Sequence, residues 1–179
     1  MILDAIPKVF LDYSIIGLKH LVFPIFPYFS GMTEPDERCM KEALNEARKA
    51  FAADEVPIGC VIVWNDRIIA RAYNRTEQLK DFTAHAEMQA FTSASEFLNN
   101  KYLNECVLYV TLEPCVMCSG AAFWTQLGRI VYGAKDLKRG ISSLSHQILH
   151  PSTQINGGVL ETECVALLSD FFKAKRKKD

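Results

Sequence analysis

Residues 107–133 read VLYVTLEPCVMCSGAAFWTQLGRIVYG, and the pattern of this stretch decides the architecture. Val107 to Thr111 is a short apolar run rich in strand-forming residues, which predicts a buried strand. Cys115 to Gln126 carries small and apolar residues over a length suited to a helix, and Arg129 to Gly133 returns to strand character. Helix and strand therefore alternate here.

Upstream, Met40, Ala43, Leu44, Ala47 and Phe51 repeat at helical spacing after Pro35, predicting a helix from Asp36 to about Asp54. Ile58 to Trp64 and Arg67 to Tyr73 flank the turn pair Asn65-Asp66, predicting a hairpin. A further helix is expected from about Ala84 to Leu98. Downstream, Gly140 to Gly158 carries serines, two histidines, Pro151 and paired glycines, which predicts a long ordered loop with at most a short helical turn. A last helix is expected from Glu161 to Lys175, with Val165, Leu168, Phe171 and Phe172 as its apolar face. The order implies an α/β fold in three layers: a mixed sheet with the hairpin at one edge, parallel strands elsewhere, and helices on both faces.

The chain has 179 residues, 49% hydrophobic and 23% charged, enough for one domain with a sound core. A net charge of −1 supplies no global basicity, so any nucleic-acid partner must be read from local charge. Of the six cysteines, Cys39, Cys60, Cys106 and Cys164 lie singly among apolar residues and read as small buried hydrophobes, which fits a reducing, cytoplasmic compartment. Residues 1–31 differ from the rest. Their apolar run from Tyr13 to Phe29 is broken by Gly17, Lys19, Pro24 and Pro27, too interrupted for a membrane span of roughly 20 apolar residues. Asp4 and Asp12 also make it a poor secretory signal. The segment reads as an upstream extension to a domain covering 32–179, with a peripheral anchor and a packing element as the alternatives.

Chemistry concentrates in two segments, Thr83-Ala84-His85-Ala86-Glu87-Met88 and residues 111–119, each at a predicted helix start. Zinc takes imidazole nitrogen and thiolate sulfur, and catalytic sites commonly use three protein ligands with a fourth position left for water. His85, Cys115 and Cys118 supply such a set. Cys115 and Cys118, three apart at a helix start, share a face, and the helix N-terminus favours the thiolate. Glu87, two residues from His85, can stand beside the site without ligating and move protons. The combination H-x-E with P-C-x-x-C is a known signature of zinc nucleobase deaminases. A closed structural zinc site, with His146 or His150 as fourth ligand if the long loop folds back, and a redox-active Cys pair are the competing readings.

Beyond the zinc segments, the chain carries Val-Pro-Ile-Gly at 56–59, Tyr-Asn-Arg at 73–75, Gly-Arg-Ile-Val-Tyr-Gly-Ala-Lys-Asp at 128–136 and Leu-Leu-Ser-Asp-Phe-Phe at 167–172. With these, residues from about Asp36 to Lys175 resemble the bacterial tRNA-specific adenosine deaminase family, which makes inosine at the anticodon wobble position. The resemblance implies a cytidine-deaminase-like fold, one zinc per subunit, a homodimer and a tRNA anticodon stem-loop as partner. It also implies a hydrogen bond between Asn74 and the flipped nucleotide. Ala84 and the backbone around Pro114 and Cys115 would line the base pocket, and Asp136 and Lys138 would touch sugar and phosphate. The family commonly has proline where this chain has Phe82, so Phe82 is either a stacking surface or a core residue. Lys173, Lys175, Arg176, Lys177 and Lys178 follow Phe171 and Phe172, and such interleaving of aromatic and basic residues suits an anticodon loop. Phe172 and Arg176 are the contacts expected there. A solubilising helix end is the plainer reading, and a deaminase of free guanine or cytosine is the rival function.

Overall fold

The structure is a computed structural model that describes residues 34–143 and 148–177. The expected extension at 1–31, His146 and Lys178 lie outside the described residues. The first helix, α1 (Glu34–Ala52), buries Met40, Ala43, Leu44 and Ala47, and it opens on three acidic residues that suit its positive end. The hairpin follows as β1 (Gly59–Trp64) and β2 (Arg67–Tyr73). Asn65 and Asp66 both have positive φ, 48° and 59°, the geometry that lets a two-residue turn follow strand twist. Gly59 is needed where β1 meets α1: a Cβ there would run into the backbone of Ala43, Glu46 and Ala47.

A four-residue helix α2 (Thr76–Leu79), which the sequence pattern did not predict, precedes α3 (Ala86–Leu98). Then come β3 (Val107–Leu112), α4 (Val116–Trp124), β4 (Arg129–Ala134), β5 (Gln154–Gly157) and α5 (Glu161–Arg176). The sheet order is β2-β1-β3-β4-β5, antiparallel through β3 and parallel from β3 to β5. Neighbouring residues on each strand point to opposite sides. Ile62, Leu108 and Ile130 pack with Ala90 and Phe91 of α3 and Ala122 of α4, while Val61, Tyr109 and Val131 pack with Met40 of α1 and Cys164 of α5. This is the expected three-layer arrangement.

Two expectations are corrected. The segment 140–158 is not loop throughout, because Gln154–Gly157 adds a parallel edge strand to β4. All four of its residues are exposed, so no apolar alternation marked it in the sequence. The apolar face of α5 is also shifted: Cys164 and Phe171 are buried, whereas Val165 and Phe172 are exposed. Phe171 makes an edge contact with Phe51 of α1, and Cys164 packs in the core beneath the same helix. Among the described residues no helix is long and apolar enough to cross a membrane.

Candidate active site

The N-termini of α3 and α4 meet on one side of the sheet, where β3 ends. His85 is the N-cap of α3 and Cys115 the N-cap of α4, both with extended backbone, and Cys118 follows in the first turn of α4. Cys115 is also bridged to Gly140, so the loop after β4 borders the same place. His85 Nδ1 lies 3.7 Å from Cys115 Sγ and 3.5 Å from Cys118 Sγ. Bonds of about 2.0 Å to nitrogen and about 2.3 Å to sulfur at tetrahedral angles separate the two donors by about 3.6 Å, so this donor set fits zinc. All three ligand atoms fall within 4.8 Å of one another, and among the described residues this is the only such group.

Electrostatics divide the two sulfurs. Cys115 is held down to about 3 by a hydrogen bond from Cys118, against burial and with help from His85. Cys118 is pushed far up, first by that same hydrogen bond and then by burial. A bound dication would deprotonate both thiols outright. His85 is raised, chiefly by its hydrogen bond to Cys115. Glu87 is buried in the first turn of α3, and burial raises its carboxyl above the ordinary range.

His150, weighed as a fourth ligand, bonds Ser152 and packs on Phe123, away from the three donors. The remaining cysteines, Cys39, Cys60, Cys106 and Cys164, are buried and unbridged, as small core residues.

The other expected site residues fall around this centre. Asn74 is buried, with its amide nitrogen 3.1 Å from both Glu55 Oε2 and Thr76 Oγ1. Ala84 is buried, and its carbonyl accepts from Arg75 N and Gln89 Nε2. Asp136 turns its carboxylate to its own loop, accepting from Lys138 N and Arg139 N, and Lys138 is exposed. Phe172 is half exposed beside Phe171, and Arg176 is exposed at the end of α5. Lys175 does not extend outward: it pairs with Asp54 at 2.7 Å and lies over the Phe171 ring. A cavity of about 460 Å3 opens at His85, lined by Thr76, Glu77, Lys80, Asp81 and Phe82.

Two buried carboxylates escaped the sequence reading. Glu55 accepts from Gln78 N at 2.6 Å and from Glu77 N at 3.1 Å, which caps α2 from a distant part of the chain. Glu113 accepts from Asp136 N at 3.0 Å and Ser142 N at 2.7 Å, which holds the loop on the opposite flank. Each clamps one side of the mouth. Glu113 sits inside the Thr-Leu-Glu-Pro-Cys segment and could have been suspected, whereas Glu55 had no signal beyond adjacency to Val-Pro-Ile-Gly.

Residues 33–134 match the family profile described as the cytidine and deoxycytidylate deaminase zinc-binding region. The tRNA-specific adenosine deaminase of Bacillus subtilis is 45% identical over 148 residues, covering 80% of this chain and 92% of that protein. A solved structure from a study of tRNA:A34 deaminases and A-to-I editing superposes with a TM-score of 0.69 at 41% identity, covering 73% of this chain and 98% of the other. The guanine deaminase of Nitrosomonas europaea superposes at 0.64 with 25% identity, covering 75% and 83%. The chain therefore belongs to the zinc-binding cytidine and deoxycytidylate deaminase family and, within it, groups with the tRNA-specific adenosine deaminases.

Proposed function

We propose that this protein is a zinc-dependent hydrolase that converts adenosine to inosine at the wobble position of a tRNA anticodon. The observation that carries the chemistry is the convergence of His85, Cys115 and Cys118 at tetrahedral donor spacing beside the buried Glu87. The substrate is carried by 45% identity that extends along 92% of a tRNA-specific adenosine deaminase, well beyond the zinc segments.

His85, Cys115 and Cys118 would hold the metal. When bound, zinc supplies the Lewis acidity that makes water a nucleophile near neutral pH. Glu87 takes a proton from the attacking water, passes it to N1 of the purine, and later delivers a proton to the leaving amine. Water and adenosine thus become inosine and ammonia. Burial of Glu87 keeps bulk water from competing for these protons.

Asn74 would present its Oδ1 to the nucleotide, because its amide nitrogen is engaged by Glu55 and Thr76. Ala84 and the turn at Pro114 would shape the pocket. Lys138, Phe172 and Arg176 would serve the RNA backbone and loop, with Asp136 shaping the turn that carries Lys138. Val116 and Trp124 are exposed on α4 with the half-buried Gly120 between them, an apolar face that suits a second copy of the chain and supports a homodimer. A cytoplasmic location is in keeping with this substrate. Residues 1–31 are read as dispensable, so a chain beginning at Met32 should fold and retain activity.

The test is to offer the purified protein an arginine-tRNA anticodon stem-loop beside free guanine, cytosine and adenosine. Inosine in the stem-loop is the expected product. Turnover of a free base alone would favour the guanine deaminase side of the fold family and overturn the substrate assignment.

A further inference from the structure

Phe82 is 84% exposed, yet it belongs to the wall of the cavity that contains His85. Single exposed apolar side chains are common on proteins, so exposure alone carries nothing. Its placement does. The turn that presents it is braced from several sides: Asp81 Oδ1 accepts from Thr83 N at 2.8 Å and Thr83 Oγ1 at 2.7 Å, Ala84 N donates to Asp81 O at 3.0 Å, and Asp81 N donates to Thr76 O at 3.2 Å. The chain goes from this turn directly into His85. The ring is thus held on a fixed support at the rim of the site, in water, where burial gives it no stability.

The charges around it fit the same picture. Asp81 is committed to Thr83, and Lys80 meets Glu77 at 3.6 Å with both side chains largely exposed. Such a pair is worth little in water, so the Lys80 ammonium can turn to a phosphate without appreciable loss. A ring face with a cation two residues before it matches the way proteins hold single-stranded RNA, by stacking a base and neutralising its backbone.

We propose that Phe82 is a stacking platform for a nucleobase flanking the target adenosine, and that it contributes to preference for an RNA loop over a free base. This rests on the tRNA reading above. It removes the core alternative for Phe82, since a residue this exposed packs no core.

The experiment compares wild type, Phe82→Ala and Phe82→Trp on the anticodon stem-loop, measuring KM and kcat, with zinc content and thermal midpoint followed for each protein. Base stacking on an aromatic side chain supports a KM rise of about 5- to 100-fold in Phe82→Ala. The rise should be restored by Phe82→Trp, with zinc content and midpoint unchanged. A stem-loop carrying 2-aminopurine beside the target adenosine should be quenched on binding wild type and not on binding Phe82→Ala. If wild type edits the stem-loop and Phe82→Ala does so with the same KM and the same quenching, this inference is overturned while the proposed function stands. If wild type neither binds nor edits the stem-loop, both fall.

Discussion

Glu55 Oε2 stands 3.1 Å from Asn74 Nδ2, and the other oxygen of the same buried carboxylate takes the N–H of Gln78 at 2.6 Å. One side chain thereby fixes both the orientation of Asn74 and the position of α2, whose Thr76 and Glu77 line the cavity at His85. Replacing Glu55 by Gln exchanges one acceptor for a donor and leaves a buried N–H facing another donor. A conflict of this kind costs about 1–3 kcal/mol. The KM for the stem-loop is expected to rise about tenfold with zinc content unchanged. Equal KM values in the two proteins would show that Glu55 supports only the fold.

Glu87→Ala tests the division of labour at the centre. The three donors lie on other residues, so the variant should bind zinc as wild type does, and the loss should appear in kcat, by at least the 10²-fold typical of a positioned acid–base group. Metal analysis and a single-turnover assay together check this. Loss of zinc from Glu87→Ala would instead make the carboxylate part of the metal's support.

Much of this centre was legible because its chemistry requires particular residue types at particular spacings. His85, Cys115 and Cys118 are N-cap and first-turn residues, marked by their ligand types and the C-x-x-C spacing, since neither N-cap makes a side-chain capping bond. The sheet was legible up to β4 because its strands carry apolar runs. It failed at β5, whose Gln154, Ile155, Asn156 and Gly157 are all exposed and paired on one side only, so backbone hydrogen bonding rather than burial defines the strand. It failed also at Glu55, because the partners of a carboxylate 19 to 23 residues away in sequence depend on the hairpin having folded between them.

Cys118→Ala probes the metal itself. Cys118 is the most buried of the three donors, and its removal leaves one nitrogen and one sulfur. Zinc content should fall from about one per chain to a small fraction of that, with activity lost in parallel, because catalytic zinc sites ordinarily need three protein ligands. Removing zinc from wild type with a chelator should abolish activity, and readdition should restore it. A variant that kept full zinc would transfer the ligand role to another residue.

Trp124 is 78% exposed and Val116 55%, on the same face of α4, and the cavity beside Trp124 is lined by Phe91, Tyr102 and Phe123. Trp124→Glu places a charge on this apolar face at little cost to the monomer. Sedimentation should show a dimer for wild type and a monomer for the variant at micromolar concentration. A monomeric wild type would remove the second copy from the proposed function.

Alkaline stability follows from the buried thiols. Burial pushes Cys106 from 9.0 to about 11 and Cys164 to about 12, and it raises Cys60 well above 9.0. Tyr109 is raised as well, first by burial and then by its hydrogen bond to Asp36, which accepts from Tyr109 Oη at 2.8 Å. In the unfolded chain the thiols ionise near 9.0, so above that pH the unfolded state holds fewer protons than the folded one. The contribution of these groups is therefore intact below pH 9 and is lost as pH climbs from 9 through about 12. The urea midpoint should accordingly be flat from pH 7 to 8.5 and drop steeply by pH 10.5, whereas Cys106→Ala should start lower and fall less. A midpoint that stayed level across pH 9–11 would mean that these thiols meet water in the native state, contrary to their burial under the sheet.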